Sequence, residues 1–81
     1  MQEEIRTWEP AEIPDGYKGL IIGKGGANLL EISKQTGAEV TRKNGEVHIV
    51  SGTEEQREHA KVVIALKVVG RSFYDTYQLA H

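Results

Sequence analysis

Four consecutive residues, Gly23-Lys24-Gly25-Gly26, are the part of this sequence best suited to chemistry. Glycine lets a backbone turn tightly and approach a ligand with no Cβ in the way. The run leads into Ala27–Thr36, where Leu29, Leu30 and Ile32 form the partial stripe of a helix packed on one side. The start of such a helix offers unpaired N–H groups and a positive dipole end, both favourable to an anion, and Lys24 adds a full charge. The chemistry this suits is holding a phosphate. The G-x-x-x-x-G-K-[ST] pattern of a nucleotide-hydrolysing loop is absent, since Gly25 follows Lys24 where Ser or Thr is needed. The G-x-G-x-x-G dinucleotide pattern is not met either, and no parallel βαβ unit of that size fits. A corner between two helices that needs glycine only for its shape is the competing reading, and these four residues alone do not decide between them.

Other residue types carry weaker signals. His48, His59 and His81 lack metal-ligand spacing and there is no cysteine, so no metal or cofactor is expected. Ser33, Ser51 and Ser72 have no base and acid partners in pattern, which leaves no hydrolase and no enzyme to propose. Trp8 could stack a nucleobase, although packing or an interface is the plainer use of it.

The elements that must position the glycine run follow from local signals. Ile5–Ile13 has β character, and Pro10 within it points to an edge strand, because proline lacks a ladder N–H. Pro14 and Asp15 open a new element, and Tyr17–Ile22 is a short apolar helix ending at Gly23. Gly37 sits where a helix C′ residue belongs. Glu39–Arg42 and Val47–Val50 flank Asn44-Gly45, the strongest short-range hairpin signal. Thr53 and Gln56 form a capping box for a last helix, whose buried stripe is Ala60, Val63, Ile64 and Val68 and whose natural stop is Gly70. A three-stranded antiparallel sheet packed against three helices, an α+β fold, would bury all these stripes together. Residues 5–70 are expected to form the domain and residues 1–4 a flexible N-terminus. For residues 71–81, with Phe73, Tyr74, Tyr77 and Leu79, three outcomes stay open: extension of the last helix, docking elsewhere, or continuation into a longer protein.

The chain has 81 residues, room for one small core. No apolar run is long enough to span a membrane and no signal-peptide shape is present, so the expected location is intracellular, cytoplasmic or nuclear. The formal net charge is −2, which by itself argues against nucleic acid. Its distribution reverses that argument. Residues 17–43 carry Lys18, Lys24, Lys34, Arg42 and Lys43 against Glu31 and Glu39, an excess of +3 that coincides with the glycine-rich part. The remainder, five cations against ten acids, stands at −5.

The string Ile21-Ile22-Gly23-Lys24-Gly25-Gly26, then Leu29 and Ile32, then Thr36-Gly37-Ala38, resembles the signature of the KH (hnRNP K homology) domain. Ile13-Pro14 and Gly19 upstream agree with it, and the resemblance covers about residues 5–70. A bare G-x-x-G is weak evidence, but the whole string at this spacing is specific. The long helix after the second hairpin strand is similar to the type I order, βααββα. The resemblance implies a module that binds about four nucleotides of single-stranded RNA, or of single-stranded DNA, and excludes a duplex from a narrow groove. Carried over, Gly23, Lys24, Gly25 and Gly26 contact the nucleic-acid backbone and Lys43 adds a phosphate contact. Gly19, Leu20, Ile22 and Leu29 floor the base groove, Leu30 and Ser33 lie along its helical side, and Val40, Thr41 and Arg42 form the opposite wall.

The chain departs from the family at several groove positions. Glu39 stands where many RNA-binding members have Arg, Arg42 where they have an apolar residue, and Leu30 and Ser33 where basic residues are common. Weak affinity for a single domain is therefore expected. Two further uses of such a domain stay open. One is a protein-interaction or dimerisation module acting through the first strand's edge and the last helix, giving a monomer or weak dimer. The other is an accessory module of a polynucleotide phosphorylase-like ribonuclease, to which the short hairpin is similar. One small groove binds weakly alone, so other domains of a larger parent protein are expected partners.

Overall fold

The computed structural model describes residues 4–79. Their order is strand β1 (Glu4–Pro10), helix α1 (Lys18–Ile22), a single 3₁₀ turn (Lys24–Gly26), helix α2 (Ala27–Thr36), strand β2 (Glu39–Lys43), strand β3 (Glu46–Thr53) and helix α3 (Glu54–Leu79). The three strands form one antiparallel sheet in the order β1-β3-β2. This is the expected α+β arrangement, with β1 at an edge and Pro10 closing it. The β1–β3 register shifts between Arg6 and Glu9, a bulge next to that closing proline. The expected flexible segment lies, for Met1, Gln2 and Glu3, outside the described residues.

Local chemistry accounts for the joints. Asn44 and Gly45 both have positive φ, 54° and 78°, so Lys43 and Glu46 pair directly across a two-residue turn. At the start of α3 the Thr53 N–H donates to Gln56 Oε1 at 2.9 Å and the Gln56 N–H donates to Thr53 Oγ1 at 3.1 Å, a closed capping box. Gly37 N–H donates to Ser33 O at 2.9 Å and ends α2.

One face of the sheet holds the core. Ile21 from α1, Ile32 from α2 and Ile49 from β3 are fully enclosed, with Val47, Ala60 and Ile64 packed beside them. Burying each such aliphatic side chain contributes about 1.5–3 kcal/mol, and none of the core residues is aromatic. Arg57 also lies on the inward stripe of α3, only 4% exposed. Its Nη2 reaches Thr7 O at 3.2 Å, Thr7 Oγ1 at 3.0 Å, Glu9 Oε1 at 3.0 Å and Ile49 O at 3.2 Å. A buried charge needs such partners, and these ones tie edge strand β1 to α3.

Gly70 does not stop the last helix. α3 runs through it to Leu79, supported by the Arg71–Asp75 pair at 3.0 Å one turn apart and by Thr76 Oγ1 donating to Ser72 O at 3.0 Å. A helical glycine costs about 1 kcal/mol relative to alanine, which neighbours of ordinary helix propensity absorb over 26 residues. Of the three outcomes open for the C-terminal residues, extension of the last helix is the one observed as far as Leu79.

Candidate nucleic-acid interface

The glycine run is a hinge between α1 and α2. Gly23 has φ 73°, ψ 172°, Gly25 φ 64°, ψ 18° and Gly26 φ 82°, ψ 12°. All three lie in the positive-φ region that side chains disfavour. Their surroundings differ. A Cβ on Gly23 would stand 2.6 Å from Cγ of Asn28, whereas a Cβ on Gly25 or Gly26 would meet nothing within 4 Å. Protein packing therefore demands glycine at 23, while at 25 and 26 the outer space is open. Asn28 is the latch of the hinge: its Nδ2 donates to Leu20 O at 2.7 Å, joining the two helices across the loop. No side chain caps α2, whose Ncap is Gly26; the Ala27 N–H donates back to Lys24 O, and the positive end of the helix dipole faces the loop. Lys24 is exposed at the loop tip.

Beside the loop, a shallow groove of about 470 Å³ runs between α2 and β2. Gly25 and Gly26 form its head, Leu29, Leu30 and Ser33 one wall, and Glu39, Val40, Thr41 and Arg42 the other. Ser33 holds the walls together: its Oγ accepts from Val40 N–H at 3.0 Å and donates to Val40 O at 3.3 Å. Val40 thus turns its main-chain groups away from β3, towards the open edge. In an antiparallel ladder alternate residues face alternate edges, so Arg42 presents its N–H and C=O to the same edge. The two-residue turn gives the same phase, because Lys43 and Glu46 form the closing hydrogen-bonded pair.

Of the residues expected at the site, Gly25, Gly26, Leu29, Leu30, Ser33, Val40, Thr41 and Arg42 line this groove together, and Gly23 and Lys24 complete the loop at its head. The others stand elsewhere. Ile22 is buried in the core. Leu20 borders a separate depression with Gly16, Tyr17, Arg71 and Asp75, and Gly19 is an exposed residue of α1. Lys43 does not line the groove: its Nζ lies 4.6 Å from the centroid of the Trp8 ring. Side chains alternate along a strand, so Thr41 and Lys43 point to one face while Val40 and Arg42 point to the other. Trp8, half exposed, also meets His48 edge-on at 5.9 Å, a small cation–aromatic cluster on the sheet's outer face.

Sequence reasoning missed one position. Asn28 had no local signal beyond its place after the glycines. Glu39, read as a groove position where the chain departs from the family, does line the groove, 3.9 Å from Arg6 Nη1. Another depression of about 330 Å³, between the end of β1 and α3, is bordered by Glu9 and Glu12 and suits phosphate poorly. Among the described residues no cluster of His, Asp or Glu could hold a metal ion.

Against known proteins, the family description "KH domain" matches residues 10–66. The chain belongs to the KH domain family. The structure is similar to the first KH type I domain of human vigilin, with a TM-score of 0.62 and 22% identity over 88% of this chain and 78% of that one. Element order and sheet together make this a type I KH domain, of a family of RNA- and single-stranded-DNA-binding modules. Among curated proteins it is similar to Far upstream element-binding protein 2 of Homo sapiens, 39% identical over 72% of this chain, and to Far upstream element-binding protein 1 of Homo sapiens, 34% identical over the same share. The chain spans about a tenth of the length of these relatives, 9% and 10% respectively. In this type I KH domain the glycine hinge, the α2 N-terminus and the β2 edge converge on one groove. No helix of the described residues is long and apolar enough to cross a membrane.

Proposed function

We propose that this KH domain binds about four nucleotides of single-stranded RNA or DNA in the groove between α2 and β2. The observation that carries the reading is the open space above Gly25 and Gly26, whose Cβ positions would meet no protein atom within 4 Å. A phosphate can approach the loop backbone there, with the uncapped N-terminus of α2 and the Lys24 ammonium as its counter-charges. The bases then lie over the Leu29 and Leu30 side of the groove. Arg42 faces them with a main-chain donor and acceptor, the pairing an unpaired base edge requires. The narrow wall separation fixed by Ser33 and Val40 suits one strand, not a duplex.

The chain's own residues perform no covalent step in this reading; they hold, orient and exclude. Relatives named as element-binding proteins, each far longer than this chain, support its use as one nucleic-acid-binding module of a larger parent. They favour that use over an accessory role in a ribonuclease. The test is the double substitution Lys24→Asp with Gly25→Asp, which sets two negative charges on the phosphate path. Binding of single-stranded tetramers, followed by NMR shifts, should be lost while the amide spectrum stays folded. Unchanged titration curves would show that the loop is not the clamp.

A further inference from the structure

The last helix carries an apolar stripe on the side turned away from the sheet. Val62 is 51% exposed, Leu66 65%, Val69 63% and Phe73 74%. They follow one another at intervals of four, three and four residues, the spacing of a seam between two packed helices. The inward stripe is a different one, Arg57, Ala60 and Ile64, on the opposite side of the helix. Beyond Val68 the usual polarity of a surface helix reverses. Arg71 and Asp75 border a depression with Tyr17 and Leu20 on the body side, and Val69 and Phe73 face outward. The charged residues of this half, Lys67, Arg71 and Asp75, all fall off the outward stripe at 100° per residue.

We infer that this stripe packs against the same stripe of a second copy, with the two α3 helices antiparallel. The stripe is complementary to itself in that direction and in one register. Leu66 of each copy meets Phe73 of the other, and Val62 lies opposite Tyr77. The two-fold axis passes between Val69 and Gly70, where the missing side chain lets the helices approach. A parallel pair would instead set Phe73 on Phe73 and Leu66 on Leu66, without using Gly70. Four side chains exposed to this degree cover roughly 400–500 Å² on each copy, so the pair buries about 1,000 Å² in total, at the weak end of specific interfaces. An interface of this size fits a reversible dimer rather than an obligate one. The groove between α2 and β2 lies on other elements and stays open, so the inference stands whether or not that groove binds nucleic acid.

The absence of native cysteine makes the register testable by single substitutions. The full chain is examined by sedimentation equilibrium from micromolar to submillimolar concentration and should move from monomer to dimer. Leu66→Glu should weaken association at least tenfold while the circular dichroism spectrum is retained, because residue 66 points away from the core. On mild oxidation Val69→Cys should cross-link to itself, and Leu66→Cys should cross-link to Phe73→Cys in a mixture but not to itself. A chain that stays monomeric throughout, or a Leu66→Glu variant that dimerises as well as the parent, overturns the proposal. Self-cross-linking of Leu66→Cys overturns the antiparallel register.

Discussion

Replacing Gly25 and Gly23 by alanine, one at a time, separates glycine required for shape from glycine required for a ligand. At Gly25 the backbone (φ 64°, ψ 18°) lies in the left-handed region and the new methyl meets nothing within 4 Å. The cost to the free protein is then the conformational penalty alone, about 1–2 kcal/mol. For a domain of this size each 1 kcal/mol lowers the melting temperature by roughly 4–8 °C. Gly23 (φ 73°, ψ 172°) occupies a region that only glycine visits readily, at about 1–3 kcal/mol for any other residue. Its methyl would also stand 2.6 Å from Asn28 Cγ and push that side chain off Leu20 O, adding about 1 kcal/mol for the lost hydrogen bond. Gly23→Ala should therefore melt well below Gly25→Ala. Binding should not follow the same order per unit of stability. A domain with about 5 kcal/mol or more of stability remains almost wholly folded after Gly25→Ala, so any lost affinity comes from the methyl against the ligand. A loss of about tenfold, equivalent to 1.4 kcal/mol, is expected. Circular dichroism melts and fluorescence anisotropy with a labelled single strand measure the two quantities. If Gly25→Ala melts lower but binds like the parent, Gly25 serves the shape of the corner only and the phosphate path lies elsewhere.

Three other perturbations test parts of the same account. Glu39→Gln removes a carboxylate from the groove wall and should raise affinity for a single strand several-fold in the same anisotropy assay; a decrease would argue that Glu39 pairs with the ligand. Arg57→Met leaves Thr7 O and Ile49 O short of a donor and should cost about 2–4 kcal/mol, read as a lower urea midpoint at constant slope. Glu9 is held below the ordinary carboxyl value of 4.5 by the Lys61 hydrogen bond, with Arg57 assisting and burial opposing. Its folded pKa is lower than its unfolded one, so its contribution is complete above about 4.5 and fades as pH falls through the folded value. Thermal melts across that acid range should show a loss of stability that is smaller in Glu9→Gln.

What could be read from the sequence was what neighbours decide. The Asn44-Gly45 turn, the Thr53–Gln56 box and the Gly37 helix end each rest on residues within four positions of one another, and each appears where expected. The groove was legible only through the resemblance to the KH signature that the glycine run, Leu29, Ile32 and Thr36-Gly37-Ala38 carry. What escaped depends on contacts that join distant parts. Arg57 is pinned by residues up to 50 positions away, although its place on the Ala60–Ile64 stripe marked it as a charge on an inward face. Gly70 looked like a stop because glycine is a weak helix former, but that weakness is small against the pairs on either side of it. Lys43 was expected to add a phosphate contact, whereas the alternation of a strand already sends it to the face opposite Arg42.

The same alternation changes the meaning of the basic middle of the chain. Five cations, counted together, suggest a clamp with a steep salt dependence. Their positions disperse them. Lys18 Nζ is bound to Glu46 Oε1 at 2.6 Å, Lys43 sits over Trp8, and Lys34 lies on α2 outside the groove lining. Only Lys24 and Arg42 stand where a strand in the groove would pass. For single strands the logarithm of the binding constant falls with the logarithm of salt by about 0.7 per neutralised phosphate. Two contacts therefore predict a slope near −1.4, where five would give about −3.5. Glu39 on the same wall lowers the attraction further without adding a released counterion. Anisotropy titrations at four or more salt concentrations give the slope directly. A value near −3 would mean that Lys18, Lys34 or Lys43 leaves its place to meet the ligand, and the two-cation interface drawn from this geometry would be wrong.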